Sequence, residues 1–200
     1  MRSDNMEREF ETTNIEKTDQ ELVSLAISDK SAFSEIVKRY EAPLRRYIRY
    51  LGFRENDDVD DILQEIFIKI FINLNDYDQS LKFSSWIYRI GHNEAISFFR
   101  KKKIRSNVLS NEEAEEFFDN LADDTDFLEM AHIRHDVDIL KSALSDLDQK
   151  YKDVIVLRFL EGKSYTEISD ILKIPEGTVA TMINRGKKEL KKLLETKGIK

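Results

Sequence analysis

Two stretches of this sequence carry side chains whose types and spacing suit chemistry on a nucleic acid. In the last predicted helix, within "EGTVATMINRGKKEL", Val179, Met182, Ile183, Gly186, Leu190, Leu193 and Leu194 fall on one apolar stripe. That stripe turns Ala180, Thr181, Asn184, Arg185, Lys188 and Lys192 outward, with Thr178 in the first turn. Small polar side chains let a helix enter the major groove, while Arg and Lys reach base edges and phosphates. The preceding helix has a matching stripe of Tyr165, Ile168, Ile171 and Leu172. Only "KIPEG" joins the two, with Pro175 suited to a first helical turn. This is a helix-turn-helix pattern. A basic, solvated helix in an αα-hairpin is the alternative.

The second stretch is a helix expected at about Ser84 to Lys103. It lines up Trp86, Arg89, Asn93, Ser97 and Arg100 and closes with "RKKKIR", which includes Lys101, Lys102 and Lys103. Phe83, Trp86, Tyr88, Phe98 and Phe99 interleave aromatics with these cations. Aromatic rings stack on unpaired bases and cations follow phosphates, which is how single strands are captured. Core packing explains most of those aromatics equally well.

The elements that must position these residues are all helical, because apolar residues recur every three or four positions. A first helix carries Phe33, Ile36, Val37, Tyr40, Leu44, Tyr47, Ile48 and Leu51 on one face, capped by Ser31 or Asp29, kinked at Pro43 and ended near Gly52. A second runs from about Asp58 to Leu74, its N-terminus marked by the acids "DDVDD". Its core stripe is Ile62, Leu63, Ile66, Phe67, Ile70 and Leu74. Ile68 and Ile72 fall outside that stripe beside Asp61, Gln64 and Glu65, a mixed face that suits a protein partner or a neighbouring helix of the same domain. Further helices are expected at about Val137 to Leu144, Gln149 to Leu160, Tyr165 to Leu172 and Glu176 to Leu194.

The chain has 200 residues, no cysteine and a formal charge of -7. Taken whole, that charge argues against nucleic acid, but screening confines each patch to roughly 10 Å, so charge is read by segment. From Ser106 to Asp138 eleven carboxylates face only Arg134, a net -10 that leaves +3 for the rest. The expected fold is therefore all-α: a lead-in over residues 1–17, a helical domain over 18–105, an acidic linker over 106–136 and a helix-turn-helix domain over 137–196. Phe117, Phe118, Phe127 and Leu128 make the linker more apolar than a plain tether. No apolar run reaches the roughly 20 residues of a membrane span, the N-terminus lacks a signal-peptide pattern, and the absence of cysteine fits a reducing cytoplasm.

Several sites are set aside. "EGKS", Glu161 to Ser164, ends like a phosphate-binding loop, but Leu157 stands where that loop needs glycine. His132 and His135 have no cysteine or nearby third ligand, and "DDVDD" suits a helix end better than a metal. No metal, cofactor or nucleophilic constellation is expected, and so no enzyme.

In order and spacing, "DDILQEIFIKIF", "FSSWIYRIGHNEAISFFRKKK" and "ALSDLDQKYKDVIVLRFLEGKSYTEISDILKIPEGTVATMINRGKKEL" resemble a bacterial RNA polymerase sigma factor of the extracytoplasmic-function group, over about Thr18 to Leu194. The resemblance implies a dissociable promoter-recognition subunit. Its first domain binds the coiled coil of the largest catalytic subunit and opens the minus-10 element; its second reads the minus-35 element beside the flap of the second subunit. By position, Asp61, Gln64 and Glu65, with Ile68 and Ile72, would face the polymerase. The loop "NDYDQSLKF" and Asn93 would meet an extruded minus-10 base. Phe83, Trp86 and Arg89 would support that strand, and Arg100, Lys101, Lys102 and Lys103 would hold phosphates. Thr178, Ala180, Thr181, Asn184, Arg185 and Lys188 would meet the minus-35 duplex. The linker would thread polymerase channels, and an anti-sigma factor is a possible partner. The chain departs from the family where Lys or Arg, Ser and Arg commonly follow "GTV": here stand Ala180, Thr181 and Met182. The alternative function is a stand-alone helix-turn-helix repressor or activator.

Overall fold

A computed structural model of the chain describes residues 17–53, 55–102 and 137–197. The linker, with its phenylalanines and histidines, lies outside the described residues. Eight α-helices are present among them.

The N-terminal domain begins with a helix absent from the sequence reading, α1 (Asp19–Ser28), which Thr18 opens through a reciprocal capping box with Glu21. Its apolar residues do not form one stripe, since Leu22, Val23 and Ala26 are buried but Leu25 and Ile27 are exposed, so periodicity missed it. Asp19 fastens α1 to the next helix: Arg39 donates to it at 2.9 Å and the Tyr40 hydroxyl at 2.6 Å.

Helix α2 (Phe33–Leu51) follows a short turn that Asp29 caps, runs continuously through Pro43, and ends at Gly52, whose φ of 117° is left-handed. Helix α3 (Asn56–Asn73) and helix α4 (Phe83–Lys102) complete the domain. Ile36, Leu44, Tyr47, Ile48, Ile62, Ile66, Ile70 and Ile87 are fully buried where α2, α3 and α4 meet. Burying side chains of this kind stabilises by about 1.5–3 kcal/mol each before the chain-entropy cost.

The C-terminal domain comprises α5 (Val137–Asp146), α6 (Gln149–Ile155), α7 (Tyr165–Leu172) and α8 (Glu176–Thr196). After Ile155 the chain widens into one π turn, Val156–Leu160, and leaves through Gly162 at φ 60°. Ser164 caps α7 by a second capping box, with Glu167. Between α7 and α8, Lys173 is held at φ 56°, a conformation a side chain adopts only when its surroundings impose it. The Ser169 hydroxyl helps by donating to the Ile174 carbonyl at 2.6 Å. Pro175 sits one residue earlier than expected, as the N-cap of α8.

Val179, Ile183, Gly186, Leu190 and Leu194 are buried, as the stripe requires. Gly186 permits the close crossing of α8 over α6, because a β-carbon there would lie 3.1 Å from Ile155 and 3.2 Å from Tyr151.

The two domains pack on each other, with α4 against α7. Arg46 donates to both carboxylate oxygens of Glu161 at 3.4 Å, and the Tyr88 hydroxyl donates to the same group. Lys82 pairs with Glu167 at 3.3 Å, and the Lys163 ammonium lies 4.2 Å from the centre of the Tyr88 ring.

Candidate functional site

Three surfaces carry the residues singled out above. On α3, Asp61, Gln64 and Glu65 are exposed on the same side as Ile68 and Ile72. Ile68 is 43% and Ile72 67% exposed, so a neighbouring helix of the same domain does not cover them. Phe71, 39% exposed, extends the patch and was not foreseen. It is held edge-on to Phe33 at 5.1 Å, with the Lys30 ammonium 5.6 Å from its centre. The result is an apolar ridge edged by carboxylates and an amide, a composition that fits a protein with matching apolar and cationic groups.

The second surface surrounds the start of α4. Phe83 and Trp86 are buried, so of the two readings left open for these aromatics the rings take the core one. They stack on each other at 5.7 Å, Tyr77 lies 5.0 Å from Phe83, and Tyr40 closes the cluster from α2 at 5.8 Å. Apolar area this large is worth more inside than on an exposed helix face, so the rings support the surface from behind.

In front of the cluster is an open cleft of about 360 Å³, lined by Thr18, Asp19, Gln20, Tyr77, Gln79 and Lys82 among others. Its loop is pinned locally: Asp78 accepts from the Ser80 amide at 2.9 Å, and the Tyr77 hydroxyl donates to the Leu81 carbonyl. That amide, with the Ser80 hydroxyl, holds the Asp78 carboxyl below its ordinary range. The contribution of Thr18, Asp19 and Gln20 depends on α1 and could not be anticipated without it. Along α4, Arg89 is half-buried, whereas Asn93, Arg100 and Lys101 are exposed. Lys102 closes the helix. Lys103 lies outside the described residues.

The third surface is the outer side of α8. Thr178, Thr181, Asn184, Arg185 and Lys188 are exposed and Ala180 is partly so. The Thr181 hydroxyl donates to the Gly177 carbonyl at 2.8 Å, which leaves its oxygen free to accept from outside. Turn and capping together hold this face clear of the domain core.

A fourth feature has no counterpart in the sequence reading, a polar cluster buried between the domains. Burial raises the pKa of Glu161, although Tyr88 and Arg46 oppose the shift. Burial pushes Asp153 up to about 7; Gln149 donates to it at 2.7 Å. It also pushes His92 down to about 4. The ring nitrogens of His92 lie 3.0 Å from the Tyr47 hydroxyl and 3.8 Å from Asp153. These residues give no periodic signal, because their pairings run between α2, α4 and α6 and not along any one helix. The rejected phosphate-loop stretch "EGKS" supplies Glu161 to this cluster.

Among the described residues no group of three or more His, Cys, Asp or Glu is placed to hold a metal ion, and no helix is long and apolar enough to cross a membrane.

Comparison with known proteins agrees with the two-domain geometry. Residues 36–104 match the family model for Sigma-70 region 2, and residues 138–190 that for Sigma-70, region 4. The chain is 35% identical over 172 residues to the ECF RNA polymerase sigma factor SigW of Bacillus subtilis, covering 83% of this chain and 90% of that protein. It is 30% identical over 186 residues to the RNA polymerase sigma factor CnrH of Cupriavidus metallidurans, covering 91% and 97%. The solved structure of CnrH in complex with the cytosolic domain of CnrY superposes with a TM-score of 0.64 at 27% identity, covering 89% of this chain and 97% of that one. The sigma factor RpoE of Bartonella quintana, solved with the anti-sigma factor NepR, shares the fold at 0.60 and 19%, with 82% and 96% covered. Fold and matched regions agree: this chain belongs to the sigma-70 family of RNA polymerase sigma factors, in its extracytoplasmic-function group.

Proposed function

We propose that the chain binds RNA polymerase core through the α3 ridge and directs it to promoters by reading the minus-35 element with α8 and the minus-10 element with α4 and its cleft. The observation that carries this reading is the division of labour: an apolar ridge on α3 and a polar, cationic helix face on α8, both exposed, on separate domains. A duplex reader acting alone has no use for the first.

Asp61, Gln64, Glu65, Ile68 and Ile72 engage the coiled coil of the largest subunit, and the C-terminal domain lies beside the flap of the second. Thr181, Asn184 and Arg185 address base edges, while Thr178 and Lys188 hold phosphates. Ala180 offers only a methyl contact. At the minus-10 element an extruded base enters the cleft beside Gln79, and Asn93, farther along α4, meets the same strand. Unstacking it costs a few kcal/mol, which hydrogen bonds inside the cleft return. Phe83 and Trp86 hold that cleft's rear wall, Arg89 steadies the strand, and Arg100, Lys101, Lys102 and Lys103 follow the adjoining phosphates.

The N-terminal domain spans residues 18–105 and the C-terminal domain 137–196, joined by the acidic segment that occupies polymerase channels. The chain itself makes and breaks no bond; the polymerase supplies the chemistry and its magnesium. It works in the cytoplasm, on the nucleoid when in holoenzyme, and an anti-sigma factor of the kind seen with its structural neighbours regulates it. Run-off transcription with polymerase core, with and without the chain, tests this. Promoter-specific transcripts that depend on the chain are expected; sequence-specific duplex binding without any effect on core would overturn it.

A further inference from the structure

We propose that the exposed face of α1 is a second single-strand subsite, which takes the nucleotide next to the extruded minus-10 base on its downstream side and favours a base that carries an amino group. The inference rests on the function proposed above and names a further promoter position that the chain reads.

An open groove of about 860 Å³ lies along α1, within the range of roughly 300–1,000 Å³ usual for small-ligand sites. It is continuous with the cleft at the start of α4, because Thr18, Gln20 and Gln79 belong to the walls of both. Phe83 and Ser84 line the cleft, but among the described residues none of α4 lines the groove. The surface therefore runs from the cationic end of α4 to the cleft at its start and on to α1. The cations follow the duplex that leads back to the minus-35 element, so a strand that leaves the cleft on the other side, toward the transcription start, enters the groove.

The composition of the wall suits a base better than a protein. Gln20, Ser24 and Ser28 form one row at a spacing of four residues and Glu21 and Leu25 a second, all exposed. Leu25, 40% exposed, is the one apolar side chain in the wall: a platform for a ring, but too little for the apolar centre of a protein contact. Lys17 supplies a cation for the phosphate. Both serine protons are already committed, since Ser24 donates to the Gln20 carbonyl at 2.8 Å and Ser28 to the Leu25 carbonyl at 2.9 Å. Their oxygens are left to accept. The Glu21 carboxylate, which takes the Thr18 amide at 2.7 Å and its hydroxyl at 2.9 Å, is a further acceptor. A wall of acceptors matches the amino group that adenine, cytosine and guanine carry and thymine lacks.

Ser24→Ala with Ser28→Ala removes two acceptors and, alanine being the better helix former, keeps α1. Holoenzyme made from the full chain and polymerase core is offered a chain-dependent promoter premelted across the minus-10 element, with each non-template position in turn carrying A, C, G or T. In competition binding, wild type should disfavour thymine immediately downstream of the extruded base by about five- to tenfold, which is what one or two hydrogen bonds supply. The double variant should lose that preference and keep the others, whereas Gln79→Ala, in the shared wall, should weaken readout at both neighbouring positions. Ser24→Glu, which sets a second carboxylate in the path of the strand, should weaken binding of every premelted template several-fold at low salt. Circular dichroism melts establish that each variant is folded. Unchanged base preference at every position in the folded double variant overturns the subsite. Weaker binding to core in a pull-down titration, with base preference unchanged, also overturns it, because the groove then serves the polymerase. Run-off from the intact promoter tests the function proposed above and is read separately.

Discussion

The hydroxyl of Tyr88 on α4 donates to the carboxylate of Glu161 across 2.5 Å, joining residues 73 positions apart and belonging to different domains. The bond belongs to a polar cluster that also holds Asp153 and His92. Both are displaced from their ordinary pKa values by burial, in opposite directions.

Those displacements predict how stability responds to acid. Burial raises Asp153 from 3.8 to about 7, so its contribution is full below about pH 3.8 and is lost as pH rises through 7. Burial lowers His92 from 6.5 to about 4, so its contribution is full above pH 6.5 and is lost as pH falls through 4. Glu161, also raised, adds to the sense of Asp153. Between pH 7 and 5 the two opposing contributions offset each other. Relative to wild type, His92→Gln should therefore gain stability on acidification and Asp153→Asn should lose it, each by at most about 1.4 kcal/mol per pH unit. Urea midpoints at pH 7, 6 and 5 measure both slopes, and slopes of the same sign would contradict the assignment.

The α3 ridge separates binding from folding. Ile68 and Ile72 are exposed, so Ile72→Ala should change stability by no more than about 0.5 kcal/mol. Gln64→Ala with Glu65→Ala, or Ile68→Ala with Ile72→Ala, should weaken binding to polymerase core by about 1–4 kcal/mol. A pull-down titration with unchanged affinity would remove this ridge from the interface.

On α8, Arg185→Ala should relax base preference within the minus-35 element by about 1–3 kcal/mol. Ala180→Arg should strengthen binding to every sequence alike through a phosphate, steepening the salt dependence by up to about one unit. Affinities across a series of minus-35 mutations at several salt concentrations distinguish the two. Unaltered sequence preference in Arg185→Ala would show that the reading face lies elsewhere.

Gly186 sits where α8 crosses close over α6 in the C-terminal domain. Gly186→Val would place a branched side chain where a β-carbon already meets Ile155 at 3.1 Å and Tyr151 at 3.2 Å. The expected cost is about 1–3 kcal/mol, or several degrees in Tm. A melt unchanged from wild type would mean that α6 and α8 separate freely, contrary to this packing.

The sequence by itself determined the helices whose apolar residues repeat cleanly, because a stripe such as Val179, Ile183, Gly186, Leu190 and Leu194 can be buried in only one way. The same periodicity identified Ala180, Thr181, Asn184, Arg185, Lys188 and Lys192 as outward, and Ile68 and Ile72 as surplus to the core. It missed α1, whose apolar residues are split between a buried and an exposed side and whose position depends on Asp19 meeting Arg39 and Tyr40 from α2. Composition could not decide whether Phe83 and Trp86 meet bases or the core, since an aromatic ring suits both. Tertiary packing decided it by bringing Tyr40 and Tyr77 around them. The interdomain cluster was the least legible part. Arg46, His92 and Asp153 each read as an ordinary polar residue of its own helix, Tyr88 as one of the aromatics of α4 and Glu161 as part of a rejected phosphate loop, and a pairing across 73 or 115 positions has no local signature. Only the folded chain brings these groups together, and only their shared burial gives them shifted pKa values and mutual dependence.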